Sequence, residues 1–159
     1  MTTCAVAADT KLETPEGPLT VKTIGASPTP VMTRDDDGAV RFAMTSEVRV
    51  VGAAQPVLRI ALANGRALRV GADQVLLGPD GAERRAGDLQ AGEALLDAFA
   101  FPAGYEYRTD AGETRVSDGC VVIATIAPGG DADLYALRVA RTGRFVFSAG
   151  VIGLDSDAR

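Results

Sequence analysis

Histidine and tryptophan are both absent from the 159 residues. Without an imidazole, no side chain has an ordinary titration between pH 5 and 8. A hydrolase acting on a separate substrate through a histidine base is therefore disfavoured. Cysteine is scarce as well: Cys4 and Cys120 lie far apart, with no Cys-x-x-Cys spacing. Zinc would need more ligands than these, a disulfide framework is not indicated, and neither metal nor cofactor is expected. Aromatic residues make up only 5% of the chain against 47% apolar residues, so the core is expected to be built from Val, Leu, Ile and Ala. No run approaches the ~18 apolar residues of a membrane-spanning helix. The opening Met-Thr-Thr-Cys-Ala-Val-Ala-Ala lacks the basic start and apolar stretch of a secretory signal. Basic charge is in deficit, with 16 Lys and Arg against 21 Asp and Glu for a net charge of −5. Nucleic acid and anionic membranes need the opposite footprint. The expectation is a soluble, cytoplasmic, monomeric chain forming one domain over 1–159, because about 100–200 residues is the usual size of a single core.

What the chain does have is alternation. Val40, Phe42, Met44, Val48 and Val50 share one parity, while Arg41, Thr45, Glu47 and Arg49 share the other, the period of a half-buried strand. Leu58, Ile60 and Leu62 repeat it, and Leu68 and Val70 continue the same inner face. Asn64-Gly65 stands between those two runs, so 57–70 is read as a hairpin closed by a type I′ turn. Further strands are expected at 75–77, 94–96, 121–126, 134–139 and 144–147. They are separated by turn clusters such as Pro128-Gly129-Gly130-Asp131, with Thr142-Gly143 as a second hairpin turn. The phrase 86–93 fits a turn or one helical turn, and 97–119 a loop or short hairpin. No window carries a long helical stripe.

Two motifs are weighed and set aside. Asp35-Asp36-Asp37-Gly38 looks like the start of a calcium loop, but with Asp35 first the twelfth position is Ser46 instead of a bidentate Glu. Gly78-Pro79-Asp80-Gly81 lacks the helix and Lys that a phosphate cradle requires. Both are read as turns.

Three phrases carry more information. Cys4 is followed by Asp9, Thr10, Leu12, Thr14, Pro15 and Gly17 in the order Asp-Thr-x-Leu-x-Thr-Pro-x-Gly, and the chain closes on Gly-Val-Ile-Gly-Leu-Asp-Ser from Gly150 to Ser156. Between them, Gly71-Ala72-Asp73-Gln74 follows the hairpin. Together these resemble the two ends and the Thr-x-x-His box of the hedgehog/intein (Hint) domains, with Gly71 in place of the Thr and Gln74 in place of the His. The resemblance implies an all-β, horseshoe-shaped fold of long curved antiparallel strands with pseudo-twofold symmetry. Its core would cover about 4–155, with short flanks and a variable loop at about 97–119.

The same resemblance assigns remnant catalytic positions. Cys4 would be the nucleophile that converts the amide after Thr3 into a thioester, and Gln74 would stand where the box histidine protonates the leaving nitrogen. Leu154 and Asp155 would occupy the places of a penultimate histidine and a terminal asparagine, and Ser156 that of the acceptor nucleophile. Leu134 to Val139 follows the family's Val-Tyr-Asp-Leu-Thr-Val phrase, with Ala136 where an aspartate often assists the cysteine. Gly143-Arg144-Phe145 stands where His-Asn-Phe is common. A glutamine amide donates hydrogen bonds but exchanges no proton near neutral pH, and loss of general acid–base help typically costs about 10²–10⁴-fold. Asp155 lacks the side-chain nitrogen with which an asparagine cyclises.

The reading is a Hint-like self-processing domain, inactive or severely impaired in protein splicing, with at most slow cleavage at Cys4. It would act on its own flanking segments or engage a protein partner. The alternative is a non-catalytic β-rich module that binds a protein or peptide through the loop around Tyr105 and Tyr107. Three residues precede Cys4 and four follow Asp155, so a fragment of a larger protein is a third reading.

Overall fold

Two long strands carry the architecture. The computed structural model describes residues 4–35 and 37–155. In chain order it contains β1 (Val6–Ala7), β2 (Lys11–Thr14), β3 (Gly17–Thr20), helix α1 (Val21–Gly25), β4 (Pro30–Arg34), β5 (Val40–Leu62), β6 (Ala67–Val70), β7 (Val75–Leu77) and β8 (Glu83–Arg85). After a single 3-10 turn at Ala86–Asp88 come β9 (Ala94–Leu96), β10 (Glu106–Arg108), β11 (Thr114–Val116), β12 (Cys120–Val139), β13 (Arg144–Val146) and β14 (Ile152–Leu154). The fold is all-β and its strand pairings are antiparallel. Strand β5 runs for 23 residues and β12 for 20. They pair from Ile123 opposite Leu62 to Val139 opposite Thr45. This ribbon belongs to a six-stranded sheet in the order β4-β5-β6-β1-β12-β9, with β5–β12 as an additional pairing, and the other sheets are a four-stranded one, β13-β14-β7-β8, and the hairpins β2-β3 and β10-β11.

Alternation on the short strands divides the interior in two. Val31, Leu76, Phe145, Phe147 and Val151 enter a large cluster with Val6, Leu12 and Ile60. Their neighbours Val75, Leu77, Val146, Ile152 and Leu154 point the other way, into a smaller cluster that contains Cys4 and against which Met32 packs. Successive side chains of a strand face opposite sides, so β4, β7, β13 and β14 form a wall between the two clusters. The expected Val/Leu/Ile/Ala core is only part of the answer. Two of the five phenylalanines, Phe145 and Phe147, are fully buried with their rings edge to face at 5.1 Å. Helix α1 is a single short piece, capped by Thr20 Oγ1, which accepts the Thr23 N–H at 3.2 Å, and it buries Val21 and Ile24.

Several expectations are corrected. The strand expected at 40–50 and the first arm of the 57–70 hairpin are one element, β5, and the face chosen for 40–50 is inverted over its first part, 40–45, while Val48 packs against the core and Glu47 and Arg49 are exposed, as expected. Val40, Phe42, Met44 and Val50 are about half exposed, whereas Thr45 is buried. Pairing with β4 causes this: Val31 sits opposite Ala43 and Thr33 opposite Arg41, with Val31 and Thr33 fully buried, so the other parity turns outward. Likewise 121–126 and 134–139 belong to one strand, β12, which passes through Pro128-Gly129-Gly130-Asp131 with a register shift, as a bulge allows. A β-carbon on Gly129 would lie 3.1 Å from the Arg59 nitrogen, so glycine lets β5 cross there. At Asn64-Gly65 the turn is not type I′, which needs positive φ at both central residues. Gly65 N–H donates to the Leu62 carbonyl at 3.0 Å, Ala63 and Asn64 keep negative φ, and only Gly65, at +85°, is left-handed. Asn64 serves otherwise, its Nδ2 reaching the Ala149 carbonyl at 3.0 Å. Finally, Thr142-Gly143 closes no hairpin, because β13 pairs with β14 instead of β12.

Candidate functional site

The turn 71–74 is strapped to the start of the chain. Gly71 N–H donates to the Ala5 carbonyl at 3.0 Å, and Gln74 N–H closes the turn onto the Gly71 carbonyl at 3.1 Å. The 3-10 turn clamps it from the far side, with Ala86 N–H on the Gln74 carbonyl and Gly87 N–H on the Ala72 carbonyl, each at 2.8 Å. Thus fixed, Gln74 points its side chain inward at 1% exposure. Its Nε2 donates to the carbonyls of Val75 and Leu154, both at 2.9 Å, and two carbonyls use both hydrogens of the amide.

Cys4 is 5% exposed and packs in the smaller cluster with Val75, Ile152 and Leu154. Its Sγ is 3.7 Å from the Asp73 carbonyl, next door to Gln74. Strand β1 sets Val6 opposite Tyr135 and Ala7 opposite Leu134, so the chain runs back toward Cys4 along the Ala136 end of β12. The Asp73 carboxylate is held outside by Arg85 at 2.5 Å, and this hydrogen bond raises the pKa of the guanidinium still further.

Asp155 is 3% exposed. Its N–H donates to the Gly143 carbonyl at 2.8 Å, and its Oδ2 accepts the Val139 N–H at 2.8 Å, which fixes the side chain against β12. Gln74 thereby meets the chain immediately before Asp155, and Cys4 and Leu154 share one cluster. Ser156 and Thr3, the other junction positions, lie outside the described residues, as does Asp36. The remaining acidic turn forms local contacts only, Asp37 Oδ1 accepting the Ala39 N–H at 3.0 Å and Asp35 pairing with Arg41. Among the described residues, Cys4 and Cys120 form no disulfide.

Three supporting positions escaped the sequence reading. Thr33 Oγ1 and Thr142 Oγ1 share a 2.6 Å hydrogen bond that ties β4 to the loop presenting the Gly143 carbonyl. Thr142 Oγ1 also accepts the Arg144 N–H at 3.2 Å. Gly153 is the third: a β-carbon there would stand 2.7 Å from Phe147 Cε2 and 2.9 Å from Phe145 Cε2. The only sequence signal for it was the second glycine of the closing Gly-Val-Ile-Gly phrase.

No protein-family model and no curated protein sequence matches the chain. Solved structures do. A DnaB intein from Synechocystis sp. PCC 6803 superposes with a TM-score of 0.73 at 16% identity, covering 96% of this chain and 99% of that one. The bacterial intein-like domain from Clostridium thermocellum gives 0.70 at 17% identity, covering 95% and 98%. The DnaX mini-intein from Spirulina platensis gives 0.70 at 10% identity, covering 95% and 99%. Identity this low speaks to architecture alone, and on that point the three agree: the chain has the intein (Hint) fold.

Proposed function

We propose that this chain is a Hint-type self-processing domain in which splicing is lost or severely impaired, leaving at most slow cleavage of the bond before Cys4. In that step Cys4 Sγ adds to the Thr3 carbonyl carbon, the C–S bond forms as the C–N bond breaks, and the freed Cys4 nitrogen takes a proton. Added thiol or water then opens the thioester. The observation that carries the reading is the Gln74 side chain: buried next to the Asp73 whose carbonyl meets Cys4 Sγ, it is a non-titrating amide whose two hydrogens are held by the Val75 and Leu154 carbonyls. It supplies no proton to a leaving amine, which accounts for a deficit of about 10²–10⁴-fold. Asp155 supports impairment at the other junction, since a carboxylate bound to the Val139 N–H has no nitrogen with which to cyclise. The substrate in this reading is the chain's own flanking polypeptide. Intact mass followed over days, with and without dithiothreitol, tests it: slow thiol-dependent loss of the segment before Cys4, or an unchanged mass, is expected. Rapid ligation of the flanks overturns it.

One observation favours a second reading as a peptide-binding module. Phe101 stacks on Tyr105 at 4.6 Å and lies 5.4 Å from Tyr107, yet Phe101 and Tyr105 are half exposed. An unchanged mass in every thiol condition, together with partner binding lost on Phe101→Ser, would favour it.

A further inference from the structure

A cleft of about 410 Å³ opens between β2, β6 and the segment after β13, away from Gln74 and Asp155. Lys11, Arg59, Arg66 and Arg69 line it against one carboxylate, Asp9, a local excess of positive charge on a chain of net charge −5. Ala67, Leu68 and Ala149 complete the lining with apolar residues.

The charges in the cleft are unevenly satisfied. Arg59 and Arg69 stand directly opposite each other on β5 and β6, and like charges in that position are destabilising. Arg69 is relieved: its Nη1 bonds both Asp9 oxygens at 2.8 and 2.7 Å, and its Nε and Nη2 bond the Gly129 carbonyl at 3.0 and 2.8 Å. Arg66 spends one hydrogen on the Ser148 carbonyl at 3.1 Å. Among the described residues neither Arg59 nor Lys11 has an ion-pair partner. The cleft therefore holds free cationic donors around a space within the usual range of small-ligand pockets, about 300–1,000 Å³.

We propose that this cleft binds a compact oxyanion, a phosphate or carboxylate group carried by a small molecule, with Arg59 and Lys11 as its principal contacts and Arg66 beside them. Size follows from screening. At physiological ionic strength charges act over about 8 Å, so a small anion feels the cleft alone, whereas an extended polyanion would also meet the acidic remainder of the surface.

Pyrophosphate and citrate, titrated into the intact chain at constant ionic strength, are the probes for phosphate and carboxylate. Side-chain Nε–Hε NMR signals of Arg59 and Arg66 are read against sodium chloride as the control. Saturable shifts with either probe support the site, and the tighter probe identifies the preferred group. Arg59→Gln and Lys11→Gln, exposed positions outside the packed core, are each expected to weaken binding about tenfold, as loss of a charge-assisted hydrogen bond does. Shifts no larger than those of chloride, or binding that both variants leave unchanged, overturn the proposal.

Discussion

The amide nitrogen of Gln74 and the carbonyl oxygen of Leu154, 80 positions apart in sequence, are 2.9 Å apart in space. Through this bond the box turn holds the last strand in place directly before Asp155. Gln74→Leu removes the donor and strands a buried carbonyl, which costs about 1–3 kcal/mol. Urea denaturation is expected to show that loss, and no shift of the midpoint would mean that the bond does not anchor β14.

Gly153 makes a second claim on the same strand. With a β-carbon 2.7 Å from Phe147 and 2.9 Å from Phe145, Gly153→Ala overpacks the edge-to-face ring pair, at a cost of about 1–3 kcal/mol. Phe147→Leu also destabilises, by opening space. Because the two residues touch, the double variant is expected to be more stable than the sum of the single losses predicts, and a thermodynamic cycle that adds without coupling would contradict the contact.

How much of this was legible follows from what alternation encodes. Leu58, Ile60, Leu62, Leu68 and Val70 gave both the hairpin and its inner face, because Ile60, Leu62, Leu68 and Val70 are buried in one core cluster and Leu58 packs against it. Val40, Phe42 and Met44 gave a strand but the wrong face. A period of two separates two faces without saying which is covered, and β4, opening on Pro30, was not seen. The continuity of β12 was hidden because Pro128-Gly129-Gly130 reads locally as punctuation and becomes a bulge only when β5 crosses it. Cys4, Gln74 and Asp155 were singled out through the phrases around them, and the structure buries all three. Their partners include main-chain groups of Asp73, Val75, Val139, Gly143 and Leu154, which carry no sequence signal, and the Thr33 to Thr142 bond joins segments that neither phrase marks.

The turn at Gly65 isolates backbone strain from packing. Its φ is +85° and nothing lies within 4 Å of a β-carbon there, so Gly65→Val is penalised only by conformation, about 1–2 kcal/mol. Gly65→Asn is expected to lose less, since Asn enters the left-handed region more readily. Equal stability of the Val variant and the parent would refute the left-handed assignment.

Burial pushes the Cys120 thiol pKa up, and Asp118, Asp80 and Asp97 add to it. The thiolate is the reactive form, so in a Cys4→Ala background alkylation of Cys120 near pH 8.5 is expected to be slower in the folded chain than in urea, and Asp118→Asn should speed it. The raised value also fixes the sign for stability. The contribution is complete below the unfolded thiol's value of about 8.5 and is lost as pH rises through the folded one. Cys120→Ser should flatten that alkaline decline, and an unchanged pH profile would contradict it.

Restoring chemistry is the most direct test of the proposed function, and the geometry decides which substitutions are fair. Gln74→His introduces a group that titrates near neutral pH. Gly71→Thr adds a β-carbon 3.4 Å from the Ala5 carbonyl and from Leu134 Cδ1, ordinary contact distances. At the other end, Asp155→Asn can keep the Val139 N–H on its side-chain oxygen while gaining a nucleophilic nitrogen. Leu154→His is a poorer probe, because it would place an imidazole in the buried cluster of Cys4, Val75 and Ile152. Between two folded reporter domains the parent chain is expected to stay full length or to cleave slowly before Cys4. Gln74→His with Gly71→Thr should raise that cleavage on the order of 10²-fold if a proton donor is what is missing, and Cys4→Ala should abolish it. Asp155→Asn should separately permit cleavage after position 155. Efficient splicing by the parent would overturn the impaired reading. If folded restored variants gain nothing, the deficit lies in the placement of Cys4 and its scissile bond and not in the lost proton donor.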